Sequence, residues 1–198
     1  MSAALEQFRL PLFPLNAVVF PGGRLPLRIF EQRYLDMVKQ AIADDMPFGI
    51  CAIREGAETG APAVPYTVGT RVHVTDWDMP QAGILHIDTQ AEERFVVRST
   101  RTEPGGLLTG SVEAVSAEPA SAIPAELELA VEILRHIIGE YGTAHFPAPH
   151  EFDNAAWVGF RLSEVLPLKL SVKQNLLEMN DSVTRLRILT EFLKKQIN

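Results

Sequence analysis

The sequence predicts an α+β fold, with a β-rich part over about residues 1–117 and an all-helical part over about 118–198. Three observations carry this reading. The first half breaks into many short apolar runs separated by turn signals, the pattern of a small barrel or sandwich. One stretch inside it, Glu31 to Asp44, switches to helical period. After Ala117 the strand pattern stops, and apolar stripes at helical spacing follow one another to the end of the chain.

Arg9 to Leu15 and Ala17 to Phe20 are short apolar runs broken by Pro11 and Pro14, which suit edge strands or bends because proline cannot donate to a ladder. Pro21-Gly22-Gly23 is a turn, and Arg24 to Phe30 is the next strand. Tyr34, Leu35, Val38, Ala41 and Ile42 then mark the apolar face of a helix that ends before Pro47. Pro47 to Ile53 is a strand, and Glu55 to Pro65 is a Gly-, Ala- and Pro-rich loop. Val68 to Asp76, Ile84 to Thr89, Arg94 to Ser99 and Leu107 to Val115 are further strands. The separating turns are expected at Asp78-Met79-Pro80, Ala91-Glu92-Glu93 and Glu103-Pro104-Gly105-Gly106.

In the second half, Pro124 suits a first helical position, with Leu127, Ala130, Val131, Leu134, Ile137, Ile138 and Tyr141 as the buried stripe and Gly142 as the stop. Asp153 is placed to cap a helix reaching Leu166, closed by Pro167. Ser171 to Gln174 reads as a capping box. Asn180-Asp181 opens the last helix, whose buried face carries Val183, Leu186, Leu189 or Thr190, Leu193 and Ile197.

Composition narrows the function. The net charge is −7, from 18 basic and 25 acidic residues, and there is no basic run. Nucleic-acid binders draw affinity from Lys and Arg on phosphates, so this balance argues against a nucleic-acid partner and against an anionic membrane surface. The single cysteine, Cys51, forbids an intrachain disulfide and fits a reducing compartment. No secretory leader is visible, and no apolar stretch approaches the ~18 residues that cross a bilayer. A soluble, cytoplasmic protein is expected.

The segment Leu10-Pro11-Leu12-Phe13-Pro14-Leu15, the turn Phe20-Pro21-Gly22-Gly23 and the run Pro26-Leu27-Arg28-Ile29-Phe30-Glu31-Gln32-Arg33-Tyr34 closely resemble the opening of the Lon protease N-terminal domain. Val68-Gly69-Thr70 resembles that family's "VGT" strand start. Leu166-Pro167-Leu168, Lys173-Gln174-Asn175-Leu176-Leu177-Glu178 and Arg185-Leu186 resemble its later "LPL", "KQ-x-LLE" and "RL" signatures. The departure is at Arg94-Phe95, which lacks the glycine that usually precedes this pair. The resemblance implies a PUA-like β pseudobarrel followed by a helical bundle, a region that in full-length Lon helps bind protein substrates. The sequence stops at Asn198, short of room for the ATPase and Ser-Lys peptidase that follow in Lon, and it has no G-x-x-x-x-G-K-[ST] loop. A non-enzymatic recognition domain is therefore expected, with no cofactor and no metal. Its expected partners are unfolded or partly folded polypeptides, with a separate ATPase or protease as a further candidate. The rival reading is a PUA-like RNA-binding module, because the fold alone does not decide function.

Alternative chemistry is weak in the sequence. His145, His150, Glu151 and Asp153 offer metal donors in a Pro-rich loop without ordered ligand spacing. Ser171 and Lys173 are two apart, and such positions do not face each other on a helix. Glu31 and Arg33 read as a structural charge pair at a helix start. The candidate binding residues are apolar groups expected to stay at the surface: Phe13, Phe20 and Phe30 beside proline-rich bends, and Trp77 and Met79 in an expected turn. A groove between the barrel and the helices is the expected place for them.

Overall fold

The structure is a computed structural model that describes residues 7–142, 146 and 148–197. It contains six strands and five α-helices among the described residues. The chain divides into two compact units, Met1–Ser116 and Ala117–Asn198. No helix among the described residues is long and apolar enough to cross a membrane.

The first unit holds β1 (Gln7–Leu15), β2 (Arg24–Ile29), α1 (Gln32–Asp44), β3 (Phe48–Glu55), β4 (Val64–Gln81), β5 (Ile84–Thr102) and β6 (Leu108–Ala114). The strand order is β2-β5-β4-β3-β1-β6, and an additional β5–β6 pairing closes five of the strands into a barrel. Closure leaves β2 attached to the outside of β5, paired from Arg24↔Gln90 to Ile29↔Leu85. Alternation puts Leu10, Leu12, Cys51, Phe95 and Val112 into the barrel interior. A second core forms where Tyr34, Leu35, Met37, Val38 and Ala41 of α1 pack on Ile29, Phe48, Val72 and Leu85. The helix stops at Asp45, which adopts φ 52° and donates its N–H to the carbonyl of Ala41.

Three expectations for this unit need correction. Ala17 to Phe20 is not a strand. The segment between the prolines is irregular, Val19 and Phe20 are buried, and the Thr70 hydroxyl donates to the Val19 carbonyl at 2.6 Å in place of a ladder bond. Asp78-Met79-Pro80 is not the turn either. β4 continues to Gln81, the chain reverses at Ala82-Gly83, and Pro80 is tolerated because the register is irregular between Asp78 and Gln81. Finally, Ala91-Glu92-Glu93 does not break β5. The register passes from Thr70↔Arg94 to Val72↔Ala91, so two glutamates oppose Arg71 in a β-bulge. Arg71 holds both, with 2.7 Å to Glu92 and 2.9 Å to Glu93. This charge fork sits at the register shift.

The second unit holds a short 3-10 turn at Ala125–Leu127, then α2 (Glu128–Tyr141), α3 (Ala155–Val165), α4 (Leu170–Glu178) and α5 (Ser182–Ile197). Leu134, Leu162, Leu177 and Leu186 are fully buried among these helices. Tyr141, expected on the buried stripe, is exposed because α2 ends beside it at Gly142 with φ 79°. Asn154 rather than Asp153 caps α3, accepting the Ala156 N–H at 3.0 Å. Ser171 lies inside α4, whose N-cap is Lys169, so no capping box forms. Lys173 instead donates to the Glu164 carbonyl at 2.7 Å. Asp181 caps α5 through the Thr184 N–H at 2.9 Å.

Candidate functional site

The first unit holds a groove of about 770 Å³ formed by β1, α1, the turn before β3 and the loop between β5 and β6. Sites for small molecules and peptides are typically concave and mostly apolar, at roughly 300–1,000 Å³. Phe8 and Leu10 of β1 form one wall. Met37 and Ala41, on the groove side of α1, form the opposite wall. Met46, Pro47, Pro104 and Leu107 complete the apolar lining. Met46 is 57% exposed although it is a large apolar residue. A methionine adapts to differently shaped apolar partners, as it does at promiscuous binding surfaces.

The polar rim is ordered. Arg9 pairs with Glu103 at 2.8 Å. Arg33 is 8% exposed, pairs with Glu31 at 3.0 Å, donates to the Gly106 carbonyl at 3.2 Å and lies 4.6 Å over the Tyr34 ring. It therefore ties the start of α1 to the β5–β6 loop, a structural role for the Glu31-Arg33 pair. Arg71 is held by Glu92 and Glu93 as described above. Each cation on the groove thus already has a carboxylate. Asp36 and Asp44 differ: they accept from the amides of Gln32 and Gln40, and no cation among the described residues pairs with them.

None of the five residues singled out from sequence lines this groove. Two expectations of surface exposure are overturned. Phe13 is buried, stacked on Tyr34 with ring centroids 4.1 Å apart, and Phe20 is fully buried. Pro11 and Pro14 sit in register within β1 and do not break it, so Phe13 stays on the strand's core-facing side. Phe30, Trp77 and Met79 are exposed, at 58%, 54% and 39%. Phe30 borders a hollow of about 60 Å³ beside Glu58. Trp77 stands in β4 opposite Ile87, beside a shallower hollow of about 360 Å³ lined also by Asp76, Asp78 and Asp88. Met46 and Leu107 were missed. Met46 stands as an isolated apolar residue in the turn Asp45-Met46-Pro47, and Leu107 was read as the first residue of a strand.

Other sequence candidates are accounted for locally. His73 Nδ1 lies 2.7 Å from Glu92, and His86 is exposed. His150 Nε2 lies 2.8 Å from the Phe146 carbonyl and its ring stacks edge-on against Phe152. Glu151 accepts from Asn154 at 2.6 Å. His145 lies outside the described residues. Among those residues no group of three His, Cys, Asp or Glu side chains is placed to hold a metal ion. Cys51 is fully buried, and burial pushes its thiol up to about 12.

A closed barrel with an open apolar groove, joined in one chain to a helical unit, defines an α+β domain of the kind that opens Lon proteases. The chain belongs to the ATP-dependent protease La (LON) substrate-binding domain family, which matches residues 9–195. It is 25% identical over 196 residues to Lon protease 2 of Myxococcus xanthus, covering 94% of this chain and 24% of that protein. It is 40% identical over 67 residues to Lon protease of Anaeromyxobacter dehalogenans (strain 2CP-C), covering 33% of this chain and 8% of that protein. The chain thus spans about a quarter or less of the curated relatives it matches. Among solved structures, a Lon N-terminal domain protein from Xanthomonas campestris superposes with TM-score 0.77 at 34% identity, covering 92% of this chain and 96% of that one. The N-terminal domain of Mycobacterium avium complex Lon protease superposes with TM-score 0.65 at 16% identity, covering 93% and 97%, a likeness of fold alone.

Proposed function

We propose that this chain is a non-catalytic, cytoplasmic polypeptide-recognition domain that holds exposed apolar segments of unfolded or partly folded proteins in the groove between β1 and α1. The carrying observation is the groove itself: about 770 Å³, lined by Leu10 and Met37 and by the exposed Met46. Membership of a substrate-binding family supports the same reading. A separate ATPase or protease is the natural recipient of such a client. The acid-neutralised cations favour polypeptide over RNA, because phosphate binding needs cations free to release counterions.

Burial of ~400 Å² of apolar surface supplies about 10 kcal/mol gross. Association and ordering costs consume much of it, so affinity is expected near micromolar, with weak salt dependence. The test is a fluorescence-anisotropy titration with reduced, carboxymethylated α-lactalbumin, an unfolded polypeptide. Saturable binding to the wild type, weakened about tenfold or more by Met46→Asp and little by Trp77→Ala, is the expected result. Equal binding by wild type and Met46→Asp contradicts the assignment of the groove.

A further inference from the structure

We infer that the groove takes its client as an added β-strand: an extended segment, apolar at alternate positions and carrying a basic residue, pairs with the free edge of β1 at Gln7 to Leu10. This inference rests on the reading of the groove as a polypeptide site, and it names the class of segment that fits.

β1 pairs with β6 from Gln7↔Glu113 to Leu12↔Leu108, on one side. On its other side it pairs with β3, but only from Leu12↔Gly49 onward. Before Phe48 the chain turns away at Met46-Pro47, so no strand among the described residues covers the second edge of Gln7 to Leu10. That edge borders the groove, where Arg9 and Pro11 are lining residues. An uncovered edge is a template for another strand, and proteins usually blunt or hide one.

The prolines fix which main-chain groups face the groove. Pro11 lies opposite Thr109 in the antiparallel ladder, and Pro14 opposite Cys51 in the parallel one. Proline has no N–H, so Pro11↔Thr109 is a non-hydrogen-bonded pair. By alternation Phe8, Leu10 and Leu12 bond to β6, and the N–H and C=O of Arg9 and the C=O of Pro11 point away from it. The same parity lets Phe13 and Leu15 bond to β3 while Pro14 does not need to. Both prolines therefore sit where no ladder bond is lost. The Leu12↔Gly49 pair uses the Pro11 carbonyl, which accepts from the Gly49 N–H, so the outward N–H and C=O of Arg9 are the groups that no described residue bonds. Strand addition of this kind takes affinity from main-chain bonds and specificity from pockets for alternate side chains.

The charge of the groove selects the segment. Arg9, Arg33 and Arg71 are each neutralised by a carboxylate, whereas Asp36 and Asp44 on α1 have no cationic partner among the described residues. The groove is left net negative along its helical wall. A basic side chain on the α1 side of the incoming strand complements it.

The probe is a fluorescein-labelled nine-residue peptide of alternating valine and threonine with a central lysine, titrated against the full chain. Two further versions carry N-methyl groups on the odd-numbered or on the even-numbered amides. A strand offers alternate N–H groups to each neighbour, so only one version loses its bonds to β1. The expected result is a loss of about tenfold or more for one version and less than about twofold for the other. Equal binding of parent and both versions overturns strand addition and leaves polypeptide recognition standing. Strand addition is likewise overturned if the chain binds carboxymethylated α-lactalbumin but not the parent peptide. Failure of both probes to bind overturns the proposed function together with this inference.

Discussion

Arg185 of α5 and Glu118 form a two-pronged ion pair, with Nη1 to Oε2 at 3.0 Å and side chains 0% and 4% exposed. The same guanidinium donates to the carbonyls of Leu176 at 2.9 Å and Met179 at 2.6 Å, and lies 4.1 Å over the Phe160 ring. One side chain thus ties the approach to α2, the end of α4 and the face of α3 to α5. Breaking a buried pair by removing one partner costs about 3–5 kcal/mol, because it strands the other charge. Glu118→Ala should therefore lower the urea midpoint strongly, and the double variant Glu118→Leu/Arg185→Met less than the sum of the two single losses. Strict additivity would show that the pair is not coupled.

Glycine is demanded at Gly69 for space. A Cβ there would lie 2.5 Å from the Ile50 carbonyl oxygen, 2.6 Å from Cys51 Sγ and 2.7 Å from the Phe95 ring. Gly69→Ala should destabilise by about 1–3 kcal/mol through overpacking. Gly139, inside α2, is the opposite case: a methyl group added there would meet nothing within 4 Å. Gly139→Ala should stabilise by about 0.5–1 kcal/mol through helix propensity. Urea melts of the two variants check both signs.

Burial raises Glu164 from 4.5 to about 7, against the lowering effect of Arg161 and Lys173. Arg161 is itself lowered by burial, and pairs with Glu164 at 2.8 Å. A carboxyl raised in the folded state binds its proton more tightly there than in the unfolded chain. Its contribution is full below about 4.5 and is lost as pH rises toward about 7. Asp181, lowered by the Thr184 N–H, works in the opposite direction, and its contribution disappears as pH falls through its depressed value. Glu164→Gln should remove the decline in stability between pH 4.5 and 7 that the wild type shows. Parallel stability–pH curves for the two proteins would refute this assignment.

The thiol of Cys51 should be inert. It is 0% exposed, and its upward shift leaves almost no thiolate at neutral pH. Ellman's reagent should label the native chain only at the rate of unfolding and label it at once in denaturant. Fast stoichiometric labelling of the native chain would contradict the burial.

The two-part architecture was legible in the sequence because it rests on period: strand-like runs up to β6, helical stripes from Leu127 onward. α1 was legible from Tyr34, Leu35, Val38 and Ala41, all on one face. The long strands β4 and β5 were not, because Pro80 and the Glu92-Glu93 pair look like turn signals. A register irregularity and the Arg71 fork absorb them at tertiary range. The buried role of Arg185 was hidden for the same reason: its carboxylate partner, Glu118, lies 67 residues away. The site was the least legible part. Aromatics near bends look like anchors, yet Phe13 and Phe20 are core. The groove exists because β3 starts late beside β1, a fact of register that composition does not carry.

The central claim is that the wall of β1 and α1 is the surface that meets a client, and hydrogen–deuterium exchange tests it most directly. On saturation with carboxymethylated α-lactalbumin, amides of Phe8 to Leu10, of Met46 and of Gly105 to Leu107 should exchange several-fold more slowly, with Trp77 to Gln81 unchanged. Slowing confined to Trp77 to Gln81, with the groove segments unaltered, would contradict the account.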